Sequence, residues 1–330
     1  MDIVLGIDNA FVMPAGILIM SIIRTQGDTT ILFHVLSDGV SEHNKGILRS
    51  IVDKNKYCSI VFYEIDDNLL KTLPVRNHLS RACYCRLFVT EFLPPTLSKV
   101  LYLDSDMLVV DSLKALWETE ISNFSVAVAI DQSYDDIMYI NTIGYHPENG
   151  YFNSGMMLIN LDYWRKNNIP LKTLDFIHKH HANCFWNDQD AFNYVTAGTR
   201  KLVSYKYNMS NLRNVETLRI RKEYHEDVRN SQKNPVIIHY AGSVKPWHRD
   251  CHRYYYNYKT PWLSLKKQSP WANTKLGCSP DIRIAIRTLL IQMFLFIFGS
   301  NFLEKLTPIK TKSENDKHKE SLNIIYERLK

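Results

Sequence analysis

The 330-residue sequence lacks several signatures that would place a protein quickly. It has no Gly-x-x-x-x-Gly-Lys loop, which counts against a phosphoryl or nucleotidyl transferase built on that phosphate cradle. Its six cysteines, at 58, 83, 85, 184, 251 and 278, follow no zinc-knuckle spacing. Cys83-x-Cys85 by itself reads as packing rather than a metal site, and the thiols are expected to be reduced. Met1-Asp2-Ile3-Val4 enters an apolar strand directly, with neither a basic n-region nor a small-residue cleavage site. No secretory signal is therefore expected, and the cytoplasm is the default compartment. Charge of one sign is also in short supply, since the formal net charge is only +6. That excess lies in the tail, where basic residues gather from Lys245 onward. Nucleic acid and an anionic membrane surface are the two partners such a tail suggests. Its aromatic and apolar character favours the membrane, and no nucleic acid is expected.

A composition of 45% hydrophobic and 22% charged residues is that of a folded globular chain. The stretch Val100-Leu101-Tyr102-Leu103-Asp104-Ser105-Asp106-Met107-Leu108-Val109-Val110 organises it. It reads as one buried strand, apolar on both flanks and broken by two carboxylates. In extended chain, side chains two apart share a side, so Asp104 and Asp106 are expected to aim at one point. Two carboxylates inside so apolar a run are costly to desolvate unless a cation or a solvated cleft meets them. A hard divalent ion fits, because such ions favour carboxylate oxygen. The plainer reading is a strand end at which polar residues begin a turn.

Along the chain, strands are expected at residues 2–7, 30–36, 59–65, 100–103 and 125–130. Helices are expected at 13–25 behind Pro14, at 41–55 behind a Ser41 N-cap, and over 83–92. Strand–helix alternation implies an α/β fold with a mostly parallel sheet. In such sheets ligands bind beyond the carboxyl ends of the strands, where Asp8 and the pair Asp104 and Asp106 fall. Residues 135–148 read as a loop able to cover the cleft. Asn153-Ser154-Gly155 reads as a turn before an apolar strand, and residues 161–167 and 171–181 as helical. Asn187-Asp188-Gln189-Asp190 reads as the cap of a helix over 191–195. A late strand, 236–240, ends near His239.

Residues 254–271 are aromatic and basic, with Trp262, Lys266, Lys267 and Trp271 expected at headgroup depth. Residues 282–306 are apolar nearly all round. Their uncharged core, 288–301, has about 14 residues against the roughly 20 a bilayer requires. An interfacial helix is expected there, with a core helix as the alternative. Two regions follow: a catalytic domain over 1–250 and a C-terminal basic, aromatic, helical appendage over 251–330.

His239 strengthens the metal reading, since imidazole is a suitable third ligand beside two carboxylates. Gly242 lets backbone amides approach an anion, and Lys245 supplies a point charge for phosphate. Together with Asp104-x-Asp106 the pattern describes a metal–diphosphate site.

These motifs in this order resemble glycosyltransferase family 8, and within it the bacterial enzymes that extend lipooligosaccharide and lipopolysaccharide cores. The resemblance runs from residue 1 to about residue 271. It rests on Met1-Asp2-Ile3-Val4, Phe33-His34-Val35-Leu36, Tyr102-Leu103-Asp104-x-Asp106, Tyr151-Phe152-Asn153-x-Gly155, Asp188-Gln189-Asp190 and Ile238-His239-Tyr240-x-Gly242-Ser243-x-Lys245-Pro246-Trp247. It implies a GT-A type fold, Rossmann-like with a mostly parallel central sheet. On that fold it implies retaining transfer of a hexose from a UDP-sugar with Mn²⁺, or Mg²⁺ in its place. Asp104, Asp106 and His239 match the metal ligands. Asp8, Asn9, Phe11, Arg86, Asp104, Ser105, Asn153, Asp188, Gln189, Gly242 and Lys245 match the donor and nucleotide site. His78, Asp131 and Trp186 match the acceptor side, and Gln189, Asp188, Asp190 and Asp131 the catalytic group. One departure stands out: the family usually shows Asp-x-Asn-Tyr where this chain has Asp8-Asn9-Ala10-Phe11. Phe11 can still stack on uracil, but Ala10 offers no side-chain hydrogen bond.

The resemblance further implies a glycolipid oligosaccharide acceptor and an enzyme peripheral on the inner face of a bacterial cytoplasmic membrane. UDP-galactose is the favoured donor, with a UDP-glucose-dependent core glucosyltransferase as the alternative. A nucleotidyltransferase and a self-glycosylating scaffold, with Tyr254, Tyr255 and Tyr256 as acceptors, are the readings from other classes.

Overall fold

The computed structural model describes residues 1–71, 73, 80–131, 144–180, 184, 186, 188–210, 220–242, 245–249, 251, 258–278, 325 and 327–329. His78, residues 132–143, Tyr254 to Tyr256 and the stretch 282–306 lie outside them. The chain divides into two compact units, Met1–His239 and Tyr240–Lys330.

The first unit is built on a seven-stranded sheet of β1 (Asp2–Asp8), β2 (Ile31–Asp38), β3 (Cys58–Glu64), β4 (Lys99–Leu103), β6 (Val126–Ile130), β7 (Phe152–Asn160) and β8 (Arg200–Leu202). Their order is β3-β2-β1-β4-β7-β6-β8. Pairings β1–β2, β2–β3, β1–β4 and β6–β8 are parallel, and β7 is antiparallel to both its neighbours. The sheet is thus mostly parallel, as the alternation predicts, with one reversed strand near its middle. Central strands are apolar on both faces: Val126 to Ala129 and Met156 to Ile159 are fully buried. That is the pattern a helix-covered parallel sheet requires.

The flanking helices start and stop where their sequences dictate. Helix α1 (Val12–Gln26) carries Pro14 in its first turn and ends at Gly27, whose φ of 56° favours glycine. Helix α2 (Glu42–Val52) is capped by Ser41, whose Oγ accepts from the Asn44 amide at 3.3 Å. The 3₁₀ helix Arg81–Phe88 lies directly against β1. A β-carbon on Gly6 would stand 2.7 Å from Cys85 Cβ and 3.0 Å from the Ala82 carbonyl. Only glycine permits that approach, and the approach positions Arg86.

Several expectations need correcting. Residues 100–110 are not one strand. β4 ends at Leu103, Asp104-Ser105-Asp106 turns, and a separate strand, β5 (Met107–Val109), pairs antiparallel with β9 (Ile237–His239) in a second, two-stranded sheet. Asn153-Ser154-Gly155 is not a turn but lies inside β7. Asp188 opens the helix Asp188–Val195 instead of preceding it, because its three acidic and amide side chains serve as first-turn residues.

In the second unit, the headgroup-depth reading fails for Trp262 and Lys266. Both are buried within or beside the helix Lys259–Lys267, with Trp262 fully so. The Lys266 ammonium donates to the carbonyls of Trp271, Ala272 and Thr274 at 2.7, 3.3 and 2.7 Å. Lys259 likewise caps the carbonyls of His248 and Cys251. Their charges are neutralised by backbone dipoles and are not presented to a surface.

Candidate active site

The site forms at the carboxyl edge of the parallel strands. Asp8 ends β1, Asp104 follows β4 and Asp131 follows β6. Because β7 runs the other way, its start reaches the same edge. Asp104 N–H donates to the Gly155 carbonyl at 2.8 Å, and Asp131 N–H to the Tyr151 carbonyl at 2.9 Å. The reversed strand therefore delivers Asn153, Ser154 and Gly155 between the two acidic residues.

Asp104, Asp106 and His239 come together with ligand atoms all within 4.8 Å of one another. The turn after β4 supplies the two carboxylates. The β5–β9 register, which sets Met107 opposite His239, supplies the imidazole. His239 Nε2 lies 3.2 Å from Asp106 Oδ1. Gly155 floors the cluster: a β-carbon there would stand 2.5 Å from His239 Cε1 and 2.8 Å from Asp104 Oδ2. Two carboxylates and one imidazole are a donor set suited to a Mn²⁺- or Mg²⁺-like ion. The room left by Gly155 fits the same purpose.

Arg86 joins this cluster to a second one. It is 3% exposed, and its Nη2 donates to Asp104 Oδ1 at 2.9 Å while Nη1 donates to Ser154. Its Nε–H is directed to the Cys83 carbonyl at 2.8 Å, yet Nε also lies 3.0 Å from Asp188 Oδ2. Asp188 Oδ2 is consequently held by charge, with no hydrogen-bond donor among the described residues. Burial pushes the Asp188 carboxyl up to about 6, against the opposing pull of Arg86. The guanidinium also stacks 4.6 Å above the Tyr102 ring, whose hydroxyl donates to Asp104 Oδ1 at 3.2 Å.

On the other side of Asp188, Gln189 is fixed at both ends. Its Oε1 accepts from Asn153 Nδ2 and the Ser154 amide, each at 3.1 Å, and its Nε2 donates to the Tyr151 hydroxyl at 3.2 Å. Asn153 Nδ2 also donates to Asp131 Oδ2 at 3.1 Å. Asp190 is fully buried, accepting from the Tyr151 hydroxyl and the Trp186 amide at 2.5 and 2.8 Å. Trp186 itself is 37% exposed.

At the end of β1, Asp8 accepts from the Ala10 and Phe11 amides and from Ser80 Oγ. The Asn9 amide braces the Gly39–Ser41–Asn44 segment by three hydrogen bonds. Ser105 Oγ, in the turn between the two aspartates, is buried and has no hydrogen-bond partner among the described residues. Gly242, at φ 96°, and Lys245, whose Nζ donates to the Tyr240 carbonyl at 2.8 Å, belong to the second unit.

Comparison with known proteins gives the family. The family model described as "Glycosyl transferase family 8" matches residues 2–251. The chain belongs to glycosyl transferase family 8. This glycosyltransferase is similar to General stress protein A of Bacillus subtilis (strain 168), 28% identical over 281 residues that cover 80% of this chain and 96% of that protein. It is also similar to a lipopolysaccharide 1,2-glucosyltransferase of Escherichia coli, 30% identical over 274 residues, 81% of this chain and 78% of that one. Among solved structures it resembles the galactosyltransferase LgtC in complex with donor and acceptor sugar analogs. The TM-score is 0.74 at 28% identity, covering 82% of this chain and 96% of that chain. The sheet and its flanking helices are the GT-A fold of that enzyme. Glycosyltransferases of this family and fold generally use a divalent metal, and the Asp104–Asp106–His239 cluster is where this glycosyltransferase offers ligands for one.

Sequence reading missed Asn208 and Asn193. Each is fully buried and satisfies a neighbour in the site, and neither belongs to a chemical motif that spacing could reveal.

Proposed function

We propose that this chain transfers a hexose from a UDP-sugar to a core sugar of a lipopolysaccharide or lipooligosaccharide, retaining the α configuration, with UDP-galactose as the preferred donor. The observation that carries the reading is Arg86, which bridges Asp104 of the ligand cluster and Asp188 beside Gln189. It ties a site for a departing diphosphate to a site for the sugar. The galactosyltransferase likeness favours galactose, and the glucosyltransferase relative makes UDP-glucose the competing donor.

When bound by Asp104, Asp106 and His239, a divalent ion supplies positive charge where the diphosphate leaves. The motif His239-x-x-Gly242-x-x-Lys245 adds, in this reading, a glycine and a lysine of the kind that suits a diphosphate. Asp188, ionised at neutral pH, sets a fixed negative charge near the oxocarbenium-like anomeric centre. The Gln189 amide is a poor nucleophile and its oxygen is already held by two donors. We therefore favour attack by the acceptor hydroxyl on the face from which UDP leaves. The anomeric carbon–phosphate oxygen bond breaks, the anomeric carbon–acceptor oxygen bond forms, and the departing phosphate takes the acceptor proton. Asp190 and Tyr151 act as positioning residues behind Gln189. Asp131 and Trp186 face the acceptor in this reading, and His78 is assigned to the same side from the resemblance alone. The stretch 282–306 and the basic residues around it hold the enzyme on the inner, anionic face of a bacterial membrane. Among the described residues no helix is long and apolar enough to cross one.

The test is UDP release from UDP-galactose and UDP-glucose with Mn²⁺, followed by analysis of the product linkage with an acceptor. Turnover should be faster with UDP-galactose, and it should vanish in chelator and in Asp104→Asn or Asp106→Asn. Undiminished turnover of either variant in chelator would overturn the reading. A covalent adduct trapped on Gln189 or Asp190 would overturn the front-face route.

A further inference from the structure

We propose that Asn208 is a positioning residue that fixes the tautomer of His239 and locks the ligand cluster to the sugar-side network. The proposal rests on the divalent-cation reading of Asp104, Asp106 and His239. Asn208 is fully buried. It follows the 3₁₀ turn Tyr205–Tyr207 and precedes Met209, which bridges to Ile238 of β9. Met209 N–H donates to the Ile237 carbonyl and His239 N–H to the Met209 carbonyl, both at 3.0 Å. This short backbone pairing carries the Asn208 side chain alongside the imidazole.

The sense of each hydrogen bond follows from main-chain groups whose roles are fixed. The Asn153 carbonyl can only accept, so the Asn208 group 3.2 Å from it is the NH₂. The same NH₂ donates to Asn153 Oδ1 at 3.0 Å, an oxygen that also accepts from the Gly155 amide. The remaining end of the Asn208 amide is therefore its oxygen, which lies 2.8 Å from His239 Nδ1. An oxygen there requires the proton on Nδ1, leaving the Nε2 lone pair for a cation. Free imidazole side chains favour the opposite tautomer, so one buried amide sets the ligand state. It also grips Asn153, whose own NH₂ reaches Asp131 and Gln189. A single side chain thus connects the metal-ligating histidine to the residues around the sugar.

Two measurements on the full chain test this. The first is the imidazole tautomer of His239 by long-range ¹H–¹⁵N correlation in metal-free protein, assigned with His239→Gln. Wild type should carry the proton on Nδ1, and Asn208→Ala should lose that preference. Asp106 Oδ1, 3.2 Å from Nε2, can hold a second proton there in the absence of a cation, so the deciding state is Nδ1. A bare Nδ1 with the proton on Nε2 alone in wild type would overturn the proposal without touching the cation reading. The second is Mn²⁺ titration followed by electron paramagnetic resonance. Asn208→Ala should weaken Mn²⁺ binding by about 10-fold or more, the usual cost of losing a partner behind a metal ligand. Asn208→Asp keeps an acceptor for Nδ1–H but loses the donation to Asn153. It should bind Mn²⁺ within a few-fold of wild type while kcat falls about 10-fold. Equal Mn²⁺ affinity in wild type and Asn208→Ala would overturn the positioning role. No Mn²⁺ binding by wild type would instead overturn the cation reading on which it rests. Should Asn208→Ala fail to fold, the wild-type tautomer and Asn208→Asp still decide.

Discussion

Gly155 has no space for a β-carbon, and the constraint is purely steric, since its backbone is that of a strand interior. Substitution Gly155→Ala would push His239 or Asp104 aside by a distance near 1 Å. Misplacement on that scale costs about a hundredfold in rate. Turnover should fall by that order, and Mn²⁺ affinity should fall with it, as steady-state kinetics and metal titration can check. Asp188 makes a different prediction, through pH. Its folded-state value of about 6 lies above the ordinary carboxylate value near 4, so the native protein holds this proton more tightly than the unfolded chain. The stability linked to it is fully present below about pH 4 and is lost as pH rises through about 6. Urea unfolding in chelator should therefore show a flatter pH dependence for Asp188→Asn than for wild type across that window. A parallel slope in the two proteins would contradict the burial of this carboxylate. Both residues stand in motifs legible in the sequence, yet the steric and electrostatic reasons for them are not. Those depend on Arg86 and His239, which sequence separates from Asp188 and Gly155 by roughly a hundred residues or nearly as many.

At the scale of elements, local signals worked where local physics decides. Pro14 and Gly27 bracket α1, and Ser41 caps α2, because orphan amides and carbonyls at helix ends are met by nearby residues. Ser41→Ala should cost about 1 kcal/mol of stability, measurable as a lower urea midpoint with turnover unchanged. Local signals failed where a strand's partner decides. The apolar run through residues 100–110 has the composition of one strand, but its two halves join different sheets. The aspartates converge because the chain turns between them, not because alternate side chains of a strand share a side. Asn153-Ser154-Gly155 has the composition of a turn, yet β4 and β6 on either side satisfy its backbone and hold it extended. Hydrogen bonding to distant strands overrides propensity there.

For the whole molecule, the membrane proposal makes the broadest prediction. The full chain should sediment with vesicles containing anionic phospholipid, bind purely zwitterionic vesicles poorly, and lose binding as salt rises. Deleting residues 280–330 should abolish that binding and leave turnover on a soluble acceptor. Binding that ignores lipid charge would sink the idea. Burial of Trp262 and Lys266 already removes two residues from any such surface. By itself the sequence determined the α/β class, most strand and helix positions, and the acidic, amide and histidine residues that the fold brings to one edge of the sheet. Those are set by periodicity, capping and residue chemistry, which act over a few positions. Only the tertiary structure decided how the motifs meet: the reversed β7, the β5–β9 register that brings His239 to Asp106, and the Arg86 and Asn208 side chains that tie the clusters together. Each of these is a pairing across a long loop. Its free energy comes from partners that no local window of sequence contains.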